Sequence, residues 1–134
     1  MIRQLDAKTL VSGQIAPAQV AELKAQGVTM IVNNRPDGED PDQPTGLEIE
    51  QAAERAGIAY RAIPIRRGIG PADVESMHQA IEAADGKVLA YCRSGTRSTL
   101  AWAVARRRQG AGKQELEEAA ARAGVDLAPI AHLL

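Results

Sequence analysis

The sequence predicts an α/β fold: a small three-layer sandwich in which helices flank a mainly parallel central sheet. Segments with helical spacing alternate with β-rich runs, and a glycine stands where each helix should end. Hydrophobic residues make up 45% of the 134 residues, yet Phe is absent and only one Trp and two Tyr occur. A core of Ala, Val, Leu and Ile suits helices packed on a small sheet. The chain length predicts one domain over residues 1–134.

Three successive units make up most of the chain, each a helix, a glycine that ends it and a strand. Helices are expected from apolar side chains spaced along one face, and strands from β-branched runs. The expected units are 17–26, Gly27 and 28–32; 47–56, Gly57 and 58–65; and 71–84, Gly86 and 87–91. This alternation places helices on both faces of the sheet.

Three further segments complete the predicted fold. Residues 10–12, Leu-Val-Ser, are expected to add an edge strand near the N-terminus. A helix is expected over residues 98–109, and Trp102 within it is expected to anchor the core. Residues 113–123 have the amphipathic spacing of a closing helix.

Parallel strands place their carboxyl ends at one edge of the sheet, where open α/β folds hold their sites. Three loops leave such ends, at residues 33–46, 66–70 and 92–97. The first is long and polar, and loops of that length commonly serve a site. Arg35 and Asp37 lie in this loop, and we expect both to bind substrate beside the third loop.

Cys92, the only cysteine, begins the sequence Cys-Arg-Ser-Gly-Thr-Arg-Ser at the predicted junction of strand, loop and helix. Backbone N–H groups converge at such a junction, where the positive end of a helix dipole binds anions and stabilises a thiolate. Arg97 can fork onto two oxygens of an anion. We therefore predict Cys92 and Arg97 as catalytic residues. The neighbours expected to bind substrate are Arg93, Ser94, Gly95, Thr96 and Ser98.

Composition argues against several other functions. A net charge of -1 gives no field that would favour nucleic acid or a membrane surface, and no apolar run approaches membrane-spanning length. A lone cysteine excludes an intrachain disulfide and fits a reducing compartment, so a cytoplasmic location is expected. His78 and His132 lack companions at ligand spacing, and we expect no metal and no cofactor.

Four segments carry a resemblance to known proteins, namely residues 11–15, 31–39, 63–65 and 90–98. The last resembles the active-site loops of rhodanese sulfurtransferases and of protein tyrosine and dual-specificity phosphatases. Together the segments resemble more closely the beta-lactamase hydrolase-like family, which implies a phosphatase-like α/β fold. In that family the domain also occurs fused to a metallo-β-lactamase-type persulfide dioxygenase. The resemblance therefore implies sulfide or persulfide metabolism, with such a dioxygenase as a partner.

Loop length separates the two chemistries that this resemblance implies. The phosphatases have five residues between the cysteine and its arginine, whereas four separate Cys92 from Arg97, and Ser98 stands at the phosphatase arginine position. Four is the spacing typical of rhodaneses. The shorter loop therefore favours binding of a sulfur or a thiosulfate.

The second distinction is the acid that phosphoester cleavage needs to protonate a departing alkoxide. Similar phosphatases supply an Asp from the second loop, where this chain has Arg66 and Arg67. Asp73 is expected in the first turn of a helix instead, where a carboxylate favours the dipole. Asp37 or Glu39 could substitute from the first loop. Sulfur transfer needs no such acid, because sulfite leaves as a stable anion.

These observations give three hypotheses. The first is a sulfurtransferase, in which the Cys92 thiolate takes sulfane sulfur from thiosulfate or a persulfide and passes it to an external thiol acceptor. The alternative is a phosphatase that hydrolyses a phosphate ester through a Cys92 phosphocysteine. The third is a non-catalytic anion-binding or protein-docking module.

Overall fold

Five strands form one sheet in the computed structural model, which describes residues 1–134. They are β1 (Arg3–Gln4), β2 (Thr9–Ser12), β3 (Val28–Asn33), β4 (Ala59–Ala62) and β5 (Lys87–Tyr91). Their order across the sheet is β1-β2-β5-β3-β4. All neighbours run parallel except β1, which is antiparallel to β2. The predicted mainly parallel sheet is confirmed.

Five α-helices cover the two faces of this sheet. They are α1 (Val20–Ala25), α2 (Gly46–Ala56), α3 (Pro71–Ala83), α4 (Thr96–Arg108) and α5 (Lys113–Arg122). Two 3-10 helices span Pro17–Gln19 and Ala128–Leu133. The predicted helix over 17–26 is therefore divided into a 3-10 turn followed by α1.

Helix α2 shows how the local sequence sets both ends of a helix. The Thr45 hydroxyl accepts the Glu48 N–H at 3.1 Å, and the Glu48 carboxylate accepts the Thr45 N–H at 3.3 Å. This reciprocal pair is a capping box. Gly57, with φ 74°, ends the helix in the left-handed conformation that glycine adopts without strain. The predicted stop at Gly57 is confirmed, and the cap fixes where the loop from β3 ends.

The edge-strand prediction for residues 10–12 is wrong. This segment is part of β2, which lies inside the sheet between β1 and β5, and the edge is the two-residue strand Arg3–Gln4. Arg3 and Gln4 are both polar, so they lack the alternation of apolar and polar residues from which a strand is predicted.

Two element ends also differ from the predicted bounds. The strand predicted over 58–65 is shorter in the structure, where it is β4, Ala59–Ala62. Beyond β4, the N–H groups of Ile63 and Ile65 still donate to the carbonyls of Asn33 and Asn34, at 2.8 and 2.9 Å. Helix α4 begins at Thr96, two residues before the predicted start at Ser98. The hydrogen bonds of Ile63 and Ile65 hold the start of the second loop against the end of β3. The early start of α4 makes the cysteine loop shorter than expected.

Two hydrophobic clusters confirm the three-layer arrangement. The larger contains residues of α3, α4 and α5, and the smaller contains residues of α1 and α2, on opposite sides of the sheet. Trp102 of α4 is 2% exposed in the larger cluster, so its predicted role as a core residue is confirmed. None of the helices is long and apolar enough to cross a membrane.

Candidate active site

Cys92 lies directly after β5, and the loop Arg93–Gly95 leads from it into α4. Its side chain is fully buried, with 0% exposure. Gly95 has φ 96°, a left-handed conformation that glycine alone adopts readily. This turn directs the Gly95 N–H at the Cys92 Sγ, 3.1 Å away. The sequence predicted this loop geometry correctly.

The donors around the sulfur stabilise its thiolate form. Burial alone would raise the pKa of the Cys92 thiol. Hydrogen bonds from the backbone N–H groups of Ser98, Ser94 and Gly95 oppose this effect, and the pKa of Cys92 lies below its ordinary value. A thiol with a lowered pKa is a nucleophile nearer to neutral pH.

The end of β2 packs directly against the cysteine loop. The Cys92 N–H donates to the Ser12 carbonyl at 3.4 Å, and the Gln14 N–H donates to the Arg93 carbonyl at 3.4 Å. A side chain at Gly13 would come within 2.8 Å of the Arg93 carbonyl oxygen. Glycine is therefore required at residue 13. This close packing is the role of residues 11–15, one of the segments that carry the family resemblance.

Arg97 forks onto a carboxylate of this chain. Its two terminal nitrogens donate to the two oxygens of Glu39, at 2.8 and 2.9 Å, and one of them also donates to the Ile65 carbonyl at 2.7 Å. The hydrogen bonds that Arg97 donates to Glu39 raise the pKa of Arg97, and the charge of Cys92 adds to this effect. Arg97 thus lies beside Cys92 and connects the start of α4 with the first loop and with the residue that precedes the second.

Arg35, expected to bind substrate, is 4% exposed, and all three of its guanidinium nitrogens have protein partners. They donate to Glu39 at 2.9 Å, to the Gln14 side-chain oxygen at 3.0 Å and to Asp40 at 2.7 Å. Arg35 therefore holds the first loop in place and connects it to the segment that follows β2. Its partners Gln14 and Asp40 were not among the predicted site residues.

Glu39 is not suited to act as a general acid, which corrects one sequence-based alternative. Hydrogen bonds from Arg97, opposed by burial and assisted by Arg35, lower the pKa of Glu39 to about 2. A carboxyl group with that pKa carries no proton to donate near neutral pH. Asp37, the other alternative, accepts the Gly46 N–H at 2.8 Å at the start of α2, and makes no hydrogen bond to the cysteine loop.

Ser98 lies behind the sulfur, where solvent does not reach. It is fully buried, and its hydroxyl donates to the Asn34 side-chain oxygen at 2.8 Å. The Asn34 amide in turn donates to the Ile63 carbonyl at 3.0 Å. Ser98 therefore links the surroundings of Cys92 to the segments that follow β3 and β4. Asn34, which makes this link, was not among the predicted site residues.

The exposed residues of the cysteine loop and of the second loop are polar or basic. Ser94 and Thr96 are exposed, with their hydroxyls 3.1 Å apart. The Arg93 side chain is 67% exposed and lies 3.5 Å from Asp40. Arg66 and Arg67 of the second loop are also exposed.

The second loop contributes no carboxylate to the site. Asp73, the first acidic residue after it, accepts the Gly70 N–H at 2.9 Å in the first turn of α3. The prediction that Asp73 lies in the first turn of a helix is confirmed.

Comparison with known proteins identifies the family. The beta-lactamase hydrolase-like protein, phosphatase-like domain family matches residues 1–111. A beta-lactamase hydrolase-like protein of Xylella fastidiosa strain Temecula1 is 36% identical over 128 residues, which cover 94% of this chain and 30% of that protein. The chain thus spans less than a third of the length of this relative.

Solved structures agree with this assignment. A candidate phosphatase of Neisseria meningitidis Z2491 has a TM-score of 0.83 and 37% identity, with 96% of this chain and 92% of that chain covered. A Cys-to-Ser variant of Pseudomonas aeruginosa TpbA in complex with phosphotyrosine has a TM-score of 0.64 and 22% identity, covering 88% and 70% of the two chains. The second likeness shows a shared fold. On the family match and the neisserial structure, the chain belongs to the beta-lactamase hydrolase-like family, as a phosphatase-like domain.

Proposed function

We propose that residues 1–134 form one domain that hydrolyses phosphate esters, with Cys92 as the nucleophile. The observation that carries this proposal is a buried cysteine whose sulfur faces backbone N–H donors, in a chain of a phosphatase-like family. The family match and the structural neighbours favour hydrolysis over the sulfur transfer that loop length favoured in the sequence analysis.

The reaction proceeds in two displacements. The Cys92 thiolate attacks phosphorus, an S–P bond forms, and the ester P–O bond breaks with its electron pair leaving on the alcohol oxygen. That oxygen takes a proton from a water molecule, which leaves hydroxide. A second water then attacks phosphorus and gives a proton to that hydroxide, the S–P bond breaks with its electron pair restoring the thiolate, and orthophosphate leaves.

The surrounding residues have distinct roles in this scheme. The N–H groups that face the sulfur are placed to donate to the phosphoryl oxygens next to it. Arg97 supplies positive charge to the transferred group while Glu39 holds its orientation. The exposed Ser94 and Thr96 hydroxyls, with Arg93, are available to bind the substrate as it enters.

The absence of a suitable acid determines which esters would react well. Glu39 carries no proton near neutral pH, Asp37 bonds to α2, and the second loop presents arginines. Esters whose alcohol leaves readily as an anion are therefore the preferred substrates. Aryl phosphates are of this kind, and phosphotyrosine, the ligand bound to TpbA, is an aryl phosphate.

The kcat/KM values of an aryl and an alkyl phosphate test this proposal, because they report on P–O cleavage, whereas hydrolysis of the phosphocysteine is the same for both esters. We expect kcat/KM for 4-nitrophenyl phosphate to exceed that for an alkyl phosphate by on the order of a hundredfold or more, since general acid catalysis contributes at least that factor. Cys92→Ser should abolish both reactions. Equal kcat/KM values for the two esters would reveal an acid, and an active Cys92→Ser protein would exclude the proposed nucleophile.

Sulfur transfer is the second candidate, and one specific observation favours it. Helix α4 starts at Thr96, so the loop is short, and four residues separate Cys92 from Arg97. In this alternative, Cys92 would carry a persulfide taken from thiosulfate or a persulfide donor. An external thiol would then accept the sulfur.

A further inference from the structure

Arg3, in the edge strand β1, reaches the cysteine loop from far away in the sequence. One terminal nitrogen of its guanidinium donates to the Ser94 carbonyl at 2.6 Å. The other donates to the carbonyl of Ala123, at the C-terminal end of α5, also at 2.6 Å. A single side chain therefore connects the edge of the sheet, the loop that follows Cys92 and the last α-helix.

The carbonyl that Arg3 holds belongs to the same peptide unit as the N–H that faces the nucleophile. Ser94 supplies the oxygen of this unit and Gly95 supplies the N–H, which lies 3.1 Å from the Cys92 Sγ. A trans peptide is planar, and its C=O and N–H bonds point in opposite directions. Holding the oxygen on the Arg3 side therefore keeps the N–H on the sulfur side.

The opposite orientation of this peptide would be harmful to the site. Rotating the unit by half a turn would bring the Ser94 carbonyl oxygen towards the sulfur, where it would repel a thiolate. Gly95 makes such rotation easy, because glycine occupies left-handed and right-handed conformations about equally. The loop thus needs an external contact to select one orientation.

The Arg3 guanidinium occupies the space that a side chain at residue 95 would fill. A Cβ atom at residue 95 would overlap the Arg3 guanidinium nitrogen that bonds to Ser94. The other end of the guanidinium is anchored at the C-terminus of α5, where backbone carbonyls lack helical partners and the dipole is negative. The position of Arg3 is therefore also set by a contact outside the cysteine loop.

We propose that Arg3 is a positioning residue for the Cys92 loop, which fixes the Ser94–Gly95 peptide with its N–H directed at the nucleophile. The proposal rests on the proposed role of Cys92 as the nucleophile. Arg3 acts through the peptide and does not touch the reacting atoms. Its positive charge also polarises the peptide that it binds, which strengthens the N–H as a donor.

Titration of the Cys92 thiol tests this role without relying on turnover. Because Cys92 is the only cysteine, ultraviolet absorbance of the thiolate, with Cys92→Ser as the blank, reports on this site alone. We expect Arg3→Ala to raise the titration midpoint by about one pH unit, the size expected when one hydrogen bond to a charged group is weakened. Arg3→Lys, which retains one donor and the charge, should raise it less.

Arg107→Ala is the matched control. The Arg107 guanidinium also joins two backbone carbonyls, of Leu134 at 3.0 Å and of Ala111 at 3.2 Å, but makes no contact with the cysteine loop. Its removal should leave the midpoint unchanged. An equal shift in Arg107→Ala would overturn the proposal, because general loosening would then explain the effect.

The remaining outcomes separate this inference from the proposed function. Thermal unfolding shows whether Arg3→Ala is folded, and if it is not, the milder Arg3→Lys decides. An unshifted midpoint in the folded Arg3 variants would exclude the positioning role. A shift in a protein that hydrolyses no ester would support Arg3 and contradict the phosphatase. An ordinary thiol titration in the unsubstituted protein would contradict both.

Discussion

The pKa of Glu39 is low because two guanidinium groups donate hydrogen bonds to its carboxylate. Arg97 contacts both of its oxygens and Arg35 contacts one, and together they lower its pKa to about 2 despite the opposing effect of burial. The carboxylate in turn holds Arg97 beside Cys92. Glu39, which the sequence offered as a proton donor, is therefore a carboxylate at neutral pH and holds Arg97 in position.

The acidity of Glu39 predicts a pH dependence of folding stability. Its pKa in the folded chain, about 2, lies below the ordinary glutamate value. The folded state therefore binds fewer protons, and the stabilisation is present above the unfolded-state value of about 4.3 and lost as the pH falls towards 2. Glu39→Gln should lower the free energy of unfolding at pH 7, with a difference from the unsubstituted protein that shrinks towards pH 2.

Urea unfolding of both proteins at several pH values measures this difference. A difference that stays constant between pH 7 and pH 3 would show that the carboxylate charge is not responsible. Hydrolysis at pH 7 should fall roughly tenfold in Glu39→Gln, because Arg97 loses charge-assisted hydrogen bonds.

At the scale of elements, the junction of β5, its loop and α4 creates the site. The strand ends at Tyr91, the helix starts at Thr96, and the turn between them depends on the positive φ of Gly95. The sequence could predict this junction because its determinants are local: an apolar run, a glycine and a polar helix start. The contact from Arg3 could not be predicted, since it joins residues 91 positions apart in the chain.

Gly95→Ala should damage both the fold and the site. A left-handed alanine costs about 1–2 kcal/mol, and its methyl group would displace Arg3. Gly110 provides the matched control, because it has φ 103° but no atom lies within 4 Å of the place that an added methyl group would occupy. Gly110→Ala should lower the free energy of unfolding by about 1–2 kcal/mol for the same backbone reason and leave hydrolysis unchanged.

Chemical unfolding and 4-nitrophenyl phosphate hydrolysis, measured on both alanine variants, separate these effects. If both variants lose activity in proportion to their stability, the contact between residue 95 and Arg3 has no specific role. Loss of hydrolysis in Gly95→Ala alone is the expected result.

At the scale of the whole molecule, the sheet brings distant loops together. Strands β3 and β5 are neighbours, and the end of β2 flanks β5, so their following segments meet at one edge. This convergence was predictable from the alternation of helices and strands. The roles of the individual residues in these loops were not predictable from the sequence. Arg35 could bind either substrate or protein, and nothing in the sequence marks Gln14 as its partner.

Substitution of Trp102 tests how much the core beneath α4 contributes to the stability of the fold. The Trp102 side chain is 2% exposed within the larger cluster, and Trp102→Ala should lower the free energy of unfolding by roughly 3–5 kcal/mol. Leu47→Ala is the control, because Leu47 is 60% exposed and should contribute little. Similar unfolding free energies for the two variants, measured in urea, would mean that Trp102 does not anchor the core.

The group that Cys92 carries during reaction distinguishes phosphate-ester hydrolysis from sulfur transfer. The protein is mixed with 4-nitrophenyl phosphate, quenched in acid within one turnover, and its intact mass is recorded beside a parallel sample incubated with thiosulfate. We expect one phosphoryl group on the first sample, absent from Cys92→Ser, and no added sulfur on the second. An added sulfur that cyanide removes, with no phosphoryl adduct, would contradict the phosphatase and establish sulfur transfer.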